Sequence, residues 1–419
     1  MKNRELARIY YADLWGLREE KYKYLFGNDV QTTDWQELKP IAPYHFFVPK
    51  DFALQKEYEK FWKVTEVFKK WSSGVKTHRD HFVVGFAKEE ITQRLRIFTG
   101  NLSDELVKRS LRIKETRDWK LGGAREKAKL VNLNDRIYPY AYKPFDYRLI
   151  CYAICLIDRG CDRWDLMKHL LKENMCLGLM RRPIPPKGFT QVLALDSIAD
   201  INFYAYQTYF FPLYLYQDGP KGAIHELPLQ NTSQSERIPN FTAEFLQAIR
   251  KSLGSELTPE EIFHYIYAVL YSPTYRKRYE EFLKIDFPRI PLPIDNDYFK
   301  GLSNLGKELV DLHLLKHPAL DQSEIGFPKG NSNIVEKVSY DENAKRVYIN
   351  KDQYFEGIPK EVWEYYIGAY QVMQKYLKDR KKRRLSLDKI NHYMRVAKAI
   401  SLTIQLQEKI DEVYAIFKS

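Results

Sequence analysis

Apolar positions recur at helical spacing most clearly between Leu257 and Pro293, LTPEEIFHYIYAVLYSPTYRKRYEEFLKIDFPRIPLP. Thr258, Pro259 and Glu261 spell a capping box with proline at the first helical position. Ile262, Ile266, Val269 and Leu270 then form an apolar stripe, widened by Phe263 and Tyr267. Ser272-Pro273 ends this helix and starts a second. Its apolar face is Tyr275, Tyr279, Phe282 and Leu283, and Arg276, Lys277 and Arg278 cluster near its start. Pro288, Pro291 and Pro293 impose an extended exit. The pattern predicts a helical hairpin with an aromatic inner face and a basic edge.

The same reading places a short buried strand over residues 6–12, LARIYYA, and a helix from Arg18 to Leu25. A strand in that place looks like the last strand of a domain whose body is missing from the chain. PYHFFVPKD (43–51) is an aromatic strand or loop, and Tyr58 to Trp71 has helical spacing. The polar loop SSGVKTHRD (72–80) precedes an expected strand, His81 to Phe86. Lys88 to Lys129 is a helical connector containing Gly122-Gly123. Near Val131 the character shifts to tyrosine-rich and β-like. Residues 173–200 read as strand, basic loop, strand, and 209–216 as a further strand; 217–240 form a surface loop. Helices follow over Tyr298 to Leu315 and from Ser386 onward, where Leu406, Ile410, Val413 and Phe417 mark the packing stripe. Between them lies a hairpin, Ile334–Tyr340 with Arg346–Asn350, and a partly helical stretch from Trp363 to Tyr376. The expected class is α+β, a mixed β-rich part braced by helices, with domains 1–130 and 131–419.

With 419 residues there is ample material for a core. Lys and Arg outnumber Asp and Glu by 67 to 55, a net +12 that suggests a polyanionic partner. The 31 tyrosines suit wet interfaces and base stacking. Cys151, Cys155, Cys161 and Cys176 form no CxxC pair, and only His169 lies among them as a further ligand, so free thiols in a reducing cytosol are expected. A charged N-terminus and the lack of a long apolar run point away from secretion and membrane insertion, toward the cytoplasm.

Gly301-Leu-Ser-Asn-Leu-Gly306-Lys307-Glu308 fits the first places of a phosphate-binding loop, but Glu308 stands where a serine or threonine is needed and the leucines are spaced for a helix. His78, Arg79 and Asp80 either position a phosphate or form a capped polar loop, and the second reading is favoured. The basic residues carry more. Between 375 and 398 ten lysines and arginines face only Asp379 and Asp388, and Lys381, Lys382, Arg383 and Arg384 are candidate DNA phosphate contacts, joined by Arg276, Lys277 and Arg278. Arg181, Arg182 and Lys187 join two strands and are candidate base contacts, since arginine reads guanine through two hydrogen bonds.

YKPFDYRLICY, RGCDRWDLMKHLLKENMCLGLMRR, DSIADINF, FFPLYLY, HYIYAVLYSPTYRKRYEEFLKIDFPRIP and IGAYQVMQKYLKDRKKRRLS together resemble the C-terminal specificity region of type ISP restriction–modification enzymes, with type IIG enzymes sharing the pattern. Residues 1–130 are similar to the tail of an adenine-N6 DNA methyltransferase and the connector after it. The resemblance implies a target-recognition module for double-stranded DNA. It also implies a methyltransferase and nuclease portion, upstream or in a separate subunit, that flips the target adenine and uses S-adenosylmethionine. The glycine-rich cofactor loop and the Asn-Pro-Pro-Tyr-like motif are missing here, where the only Pro-Pro pair is Pro185-Pro186 after Ile184. Catalytic, cofactor and metal residues are therefore not expected in this chain. Two alternatives stay open: a methyltransferase or endonuclease subunit with an unfamiliar site, and a partner-docking scaffold without DNA preference.

Overall fold

The computed structural model describes residues 7–42, 44–183, 188–217, 237–322, 324–328 and 330–415. The chain divides into two compact units, Met1–Glu57 and Tyr58–Ser419. The change of character near Val131 falls inside the second.

In the first unit Ile9–Tyr11 pairs antiparallel with Gln36–Leu38, and one helix spans Arg18–Gly27. The strand forms as expected but is not buried: none of the described residues in 7–57 is buried. Two three-residue strands supply too little surface to cover their own side chains. Trp15 (80% exposed), Phe26 (90%) and Val30 (79%) remain open to solvent.

The second unit holds two four-stranded sheets. The first runs Ile198–Ala199, Ile137–Lys143, Asp146–Cys151, Val84–Gly85, around the hairpin that turns through Phe145. The second runs Ser72–Ser73, Thr208–Pro212, Cys176–Met180, Val192–Leu195, and all its pairings are antiparallel. The expected strand, basic loop, strand is therefore two neighbours of one sheet. A three-stranded meander, Ser339–Asp341, Arg346–Tyr348 and Tyr354–Glu356, lies farther along the chain.

Three helices brace these sheets: Pro259–Tyr271, Asn296–His313 and Leu387–Tyr414. The capping box forms as read, with Thr258 Oγ1 accepting from Glu261 N and Glu261 Oε2 accepting from Thr258 N at 2.8 Å. The stripe beyond it becomes a full circumference, since every residue from Ile262 to Tyr271 is buried. Such a helix lies within the core, and its neighbour must come close. Gly306 permits this. A Cβ there would stand 2.0 Å from the carbonyl oxygen of His264. Gly301 to Lys307 is thus helix, as its leucines predict.

Tyrosine has a different use from the one its abundance suggests. Tyr265, Tyr271 and Tyr275 are buried and donate to the carbonyls of Pro291 (3.0 Å), Val192 (2.7 Å) and Arg289 (2.6 Å). They tie extended backbone to the central helices, satisfying carbonyls that burial would otherwise leave unpaired.

Two local expectations change. Tyr58 to Trp71 is not one helix, because Trp62–Lys63 pairs as a strand with Arg289–Ile290 and only Val64–Val67 turns helically. Likewise His81 to Phe86 begins as a helical turn, Asp80–Val83, before the strand Val84–Gly85. Tertiary pairing outweighs local spacing in the first. The thiols are free, with Cys151 and Cys176 buried and Cys155 and Cys161 half-buried. No described helix is long and apolar enough to cross a membrane.

Candidate nucleic-acid interface

The basic run is held by a buried ion pair. Arg380 donates to Asp146 at 2.5 Å and to the Tyr376 carbonyl at 2.9 Å, and stacks on the Tyr376 ring. Asp146, next to the turn of the hairpin, also accepts from Arg148 at 2.8 Å. Both guanidinium groups hold its carboxyl below the usual range against the opposing effect of burial. Arg148 lies over the Tyr142 and Phe86 rings and reaches Asp379 at 3.0 Å, while Lys143 lies over Tyr142 and Tyr370. Cations and rings alternate from the hairpin to the segment that carries the run.

From Lys381 the chain leaves this anchor and pairs with another strand-like segment. Lys382 N donates to Val335 O at 2.7 Å, Val335 N to Arg383 O at 3.0 Å, and Leu385 N to Asn333 O at 2.8 Å. Lys382 occupies the left-handed region (φ 66°). The backbone is thereby fixed while the side chains of Lys381, Lys382, Arg383 and Arg384 stay exposed. Arg383 pairs with Glu90 at 2.6 Å and crosses Phe86. Lys381, Lys382 and Arg384 have no acidic partner among the described residues. Elsewhere among the ten basic residues, Lys375 is held by Asp379 and Arg395 by Asp321.

Arg181 and Arg182 leave the end of Cys176–Met180 and meet the segment after the helical hairpin. Arg181 Nε donates to Asp286 Oδ1 at 2.7 Å, and Arg182 Nε to the Ile285 carbonyl at 3.1 Å. Lys63 reaches the other Asp286 oxygen at 3.1 Å. Lys187 lies outside the described residues.

The hairpin's basic edge divides. Arg276 turns inward, donating from Nε to the Leu270 carbonyl at 2.7 Å and lying over the Tyr271 ring. That closes the end of the preceding helix. Lys277 is exposed, and half-buried Arg278 donates to the Tyr279 hydroxyl at 3.3 Å. In the polar loop, Arg79 is 1% exposed, bonded to Asp158 and stacked on Trp119, and His78 meets the same carboxylate at 2.8 Å. These contacts tie the polar loop to Asp158, and the helical turn that follows it has no side-chain cap.

Sequence reasoning missed Asp286, Lys63, Asp146 and Arg148. The last two lie in YKPFDYRLICY, whose alternation of rings and charges was the available signal.

Small sheets, flanked by segments with exposed arginines and lysines and braced by buried helices, make an α+β fold. Residues 66–409 match the Type ISP C-terminal specificity domain, and the chain belongs to that family. Among solved structures it resembles the cryo-EM structure of a DrdV-DNA complex, with TM-score 0.74, 22% identity, and coverage of 97% of this chain and 43% of that one. It resembles the ATP-dependent Type ISP restriction-modification enzyme LlaBIII bound to DNA at TM-score 0.73 and 19% identity, covering 96% of this chain and 27% of that one. A nuclease-deletion mutant of the Type ISP enzyme LlaGI with a DNA substrate mimic gives 0.68 and 17%, over 97% of this chain and 33% of that one. At these identities the likeness is one of fold, and the chain spans less than half of each neighbour's length. No curated protein sequence matches it.

Proposed function

We propose that this chain is the sequence-specifying, duplex-DNA-binding part of a restriction–modification enzyme, directing adenine-N6 methylation and restriction performed by a catalytic portion outside it. The observation that carries the reading is the pair of preset basic features. One is a turn with Lys381, Lys382 and Arg384 exposed and, among the described residues, unpaired by acids; the other is two adjacent arginines tethered, among the same residues, by Nε alone. Point charges on a fixed backbone suit phosphates, and tethered forks suit base edges. In this reading Lys187 joins the base contacts, and Lys277 and Arg278 join the phosphate contacts.

The exposed apolar side chains of the first unit support a protein partner there, the methyltransferase portion of the same enzyme. S-adenosylmethionine belongs to that portion. This chain has neither the glycine-rich loop nor the Asn-Pro-Pro-Tyr-like motif, and its Gly301 to Gly306 stretch is helix covered by the His264 backbone. The setting would be the cytoplasm, where the DNA is.

Binding of the full chain to duplex DNA at about 50 mM and about 200 mM salt tests the reading. Affinity should fall by a factor of about 10³ for some six phosphate contacts. No binding at the lower salt would sink it.

A further inference from the structure

Arg181 and Arg182 are held in the same way by consecutive residues of one segment. Arg181 gives its Nε–H to the Asp286 carboxylate and Arg182 gives its Nε–H to the Ile285 carbonyl. Neither guanidinium makes another hydrogen bond or ion pair among the described residues, so the two Nη groups of each remain unengaged. Arg181 is 56% exposed in its side chain, whereas Asp286 is 20% exposed. The carboxylate therefore sits at the base and the fork projects from it.

Asp286 is itself fixed. Lys63 takes its second oxygen at 3.1 Å, and Lys63 lies on a strand paired through Lys63↔Arg289 with the chain just beyond Asp286. The carboxylate is thus bracketed by two cations on a short, paired piece of backbone. An arginine tethered by Nε keeps its end-on pair of Nη donors in one plane. That pair matches two acceptors side by side, as on O6 and N7 of guanine in the major groove. Tethering also removes rotamer freedom before binding, so less is lost on contact.

We infer that Asp286 is a positioning residue for DNA readout: it presets Arg181 to take a guanine, and the Ile285 carbonyl presets Arg182 beside it. This rests on the DNA-recognition reading above and adds the base class and the residue that enforces it. An acidic side chain near a polyanion opposes binding in general, so Asp286 should weaken non-specific association while sharpening specific association.

The test uses the full chain and a pool of duplexes with a randomised segment, comparing wild type, Arg181→Ala, Arg181→Lys, Asp286→Asn and the Arg181→Ala/Asp286→Asn double variant. The wild type should enrich guanine at a defined position. Arg181→Ala and Arg181→Lys should relax that position by about tenfold or more. Asp286→Asn should relax the same position, leave affinity for random duplex unchanged or raised, and add nothing in the double variant. A thermal melt separates this from unfolding. Two outcomes overturn the role of Asp286 while leaving DNA recognition standing: Asp286→Asn weakening all duplexes equally, or relaxing a position that Arg181→Ala does not touch. A wild type that binds duplex with no base preference overturns both.

Discussion

Arg380 places Nη2 2.5 Å from Asp146 Oδ1, and both side chains are 3% exposed. This pair joins the hairpin of the first sheet to the start of the basic run across more than two hundred residues of sequence. A buried pair of this kind contributes little relative to an apolar substitute, but removing one partner strands the other charge. Asp146→Asn should therefore cost about 3 kcal/mol or more in urea unfolding, because it leaves buried Arg380 without its carboxylate and Arg148 with Asp379 alone. A loss under about 1 kcal/mol would show that the pair is not the anchor described.

Lys381, Lys382 and Arg384 carry no folding contact comparable to this. Replacing all three by alanine should change stability by no more than about 0.5 kcal/mol. It should weaken all duplex sequences alike and reduce the slope of log affinity against log salt by about one per side chain. Lys382→Gly separates the two roles within one residue. It relieves a left-handed conformation (φ 66°) and should raise stability by up to about 1 kcal/mol while lowering DNA affinity.

Element types and the capping box were legible because local chemistry determines them. Thr258, Pro259 and Glu261 cap the helix as written, and Gly301 to Lys307 shows its helical spacing despite a loop-like motif. What was hidden depends on distant pairing. Nothing near Trp62 announces that Arg289–Ile290 will claim it as a strand. The basic run was legible as charge but not as geometry, since composition cannot tell Arg380, fully enclosed, from Lys381, exposed. Arg276 shows the same limit: a guanidinium next to exposed Lys277 can serve a helix end instead. Asp286 was hidden because a carboxylate acquires its role only when Arg181 arrives from another sheet strand.

The approach of the two central helices at Gly306 gives a steric prediction. Gly306→Ala would place a methyl group 2.0 Å from the His264 oxygen, closer than any relaxed contact, so the helices must separate. A loss of about 2 kcal/mol or more is expected, within the cost of overpacking a core. A neutral result in thermal or urea unfolding would contradict the close approach.

Three desolvated histidines make folding sensitive to acid. Burial pushes His264 and His392 down to about 4 and His313 to about 3. Each binds a proton in the unfolded chain below about pH 6.5 but not in the folded one until much lower pH, so each lowers stability as pH falls through that window. Asp200 works the other way, because burial and nearby Asp80 raise it to about 6 and the folded state is the one protonated between about 6 and 4. Near pH 5 the unfolded chain therefore holds about two more protons, and stability should fall by about 3 kcal/mol per pH unit. Urea midpoints from pH 7 to pH 5 check the sign; a flat or rising profile would contradict it.

Parallel binding curves for wild type, Arg181→Ala/Arg182→Ala and Lys381→Ala/Lys382→Ala/Arg384→Ala, each on a selected duplex and a random one, separate base reading from phosphate grip. The first variant should lose the preference for the selected duplex while keeping its affinity for the random one. The second should lose affinity for both by the same factor. Equal behaviour of the two variants, or a wild type that does not distinguish the duplexes, would contradict that separation.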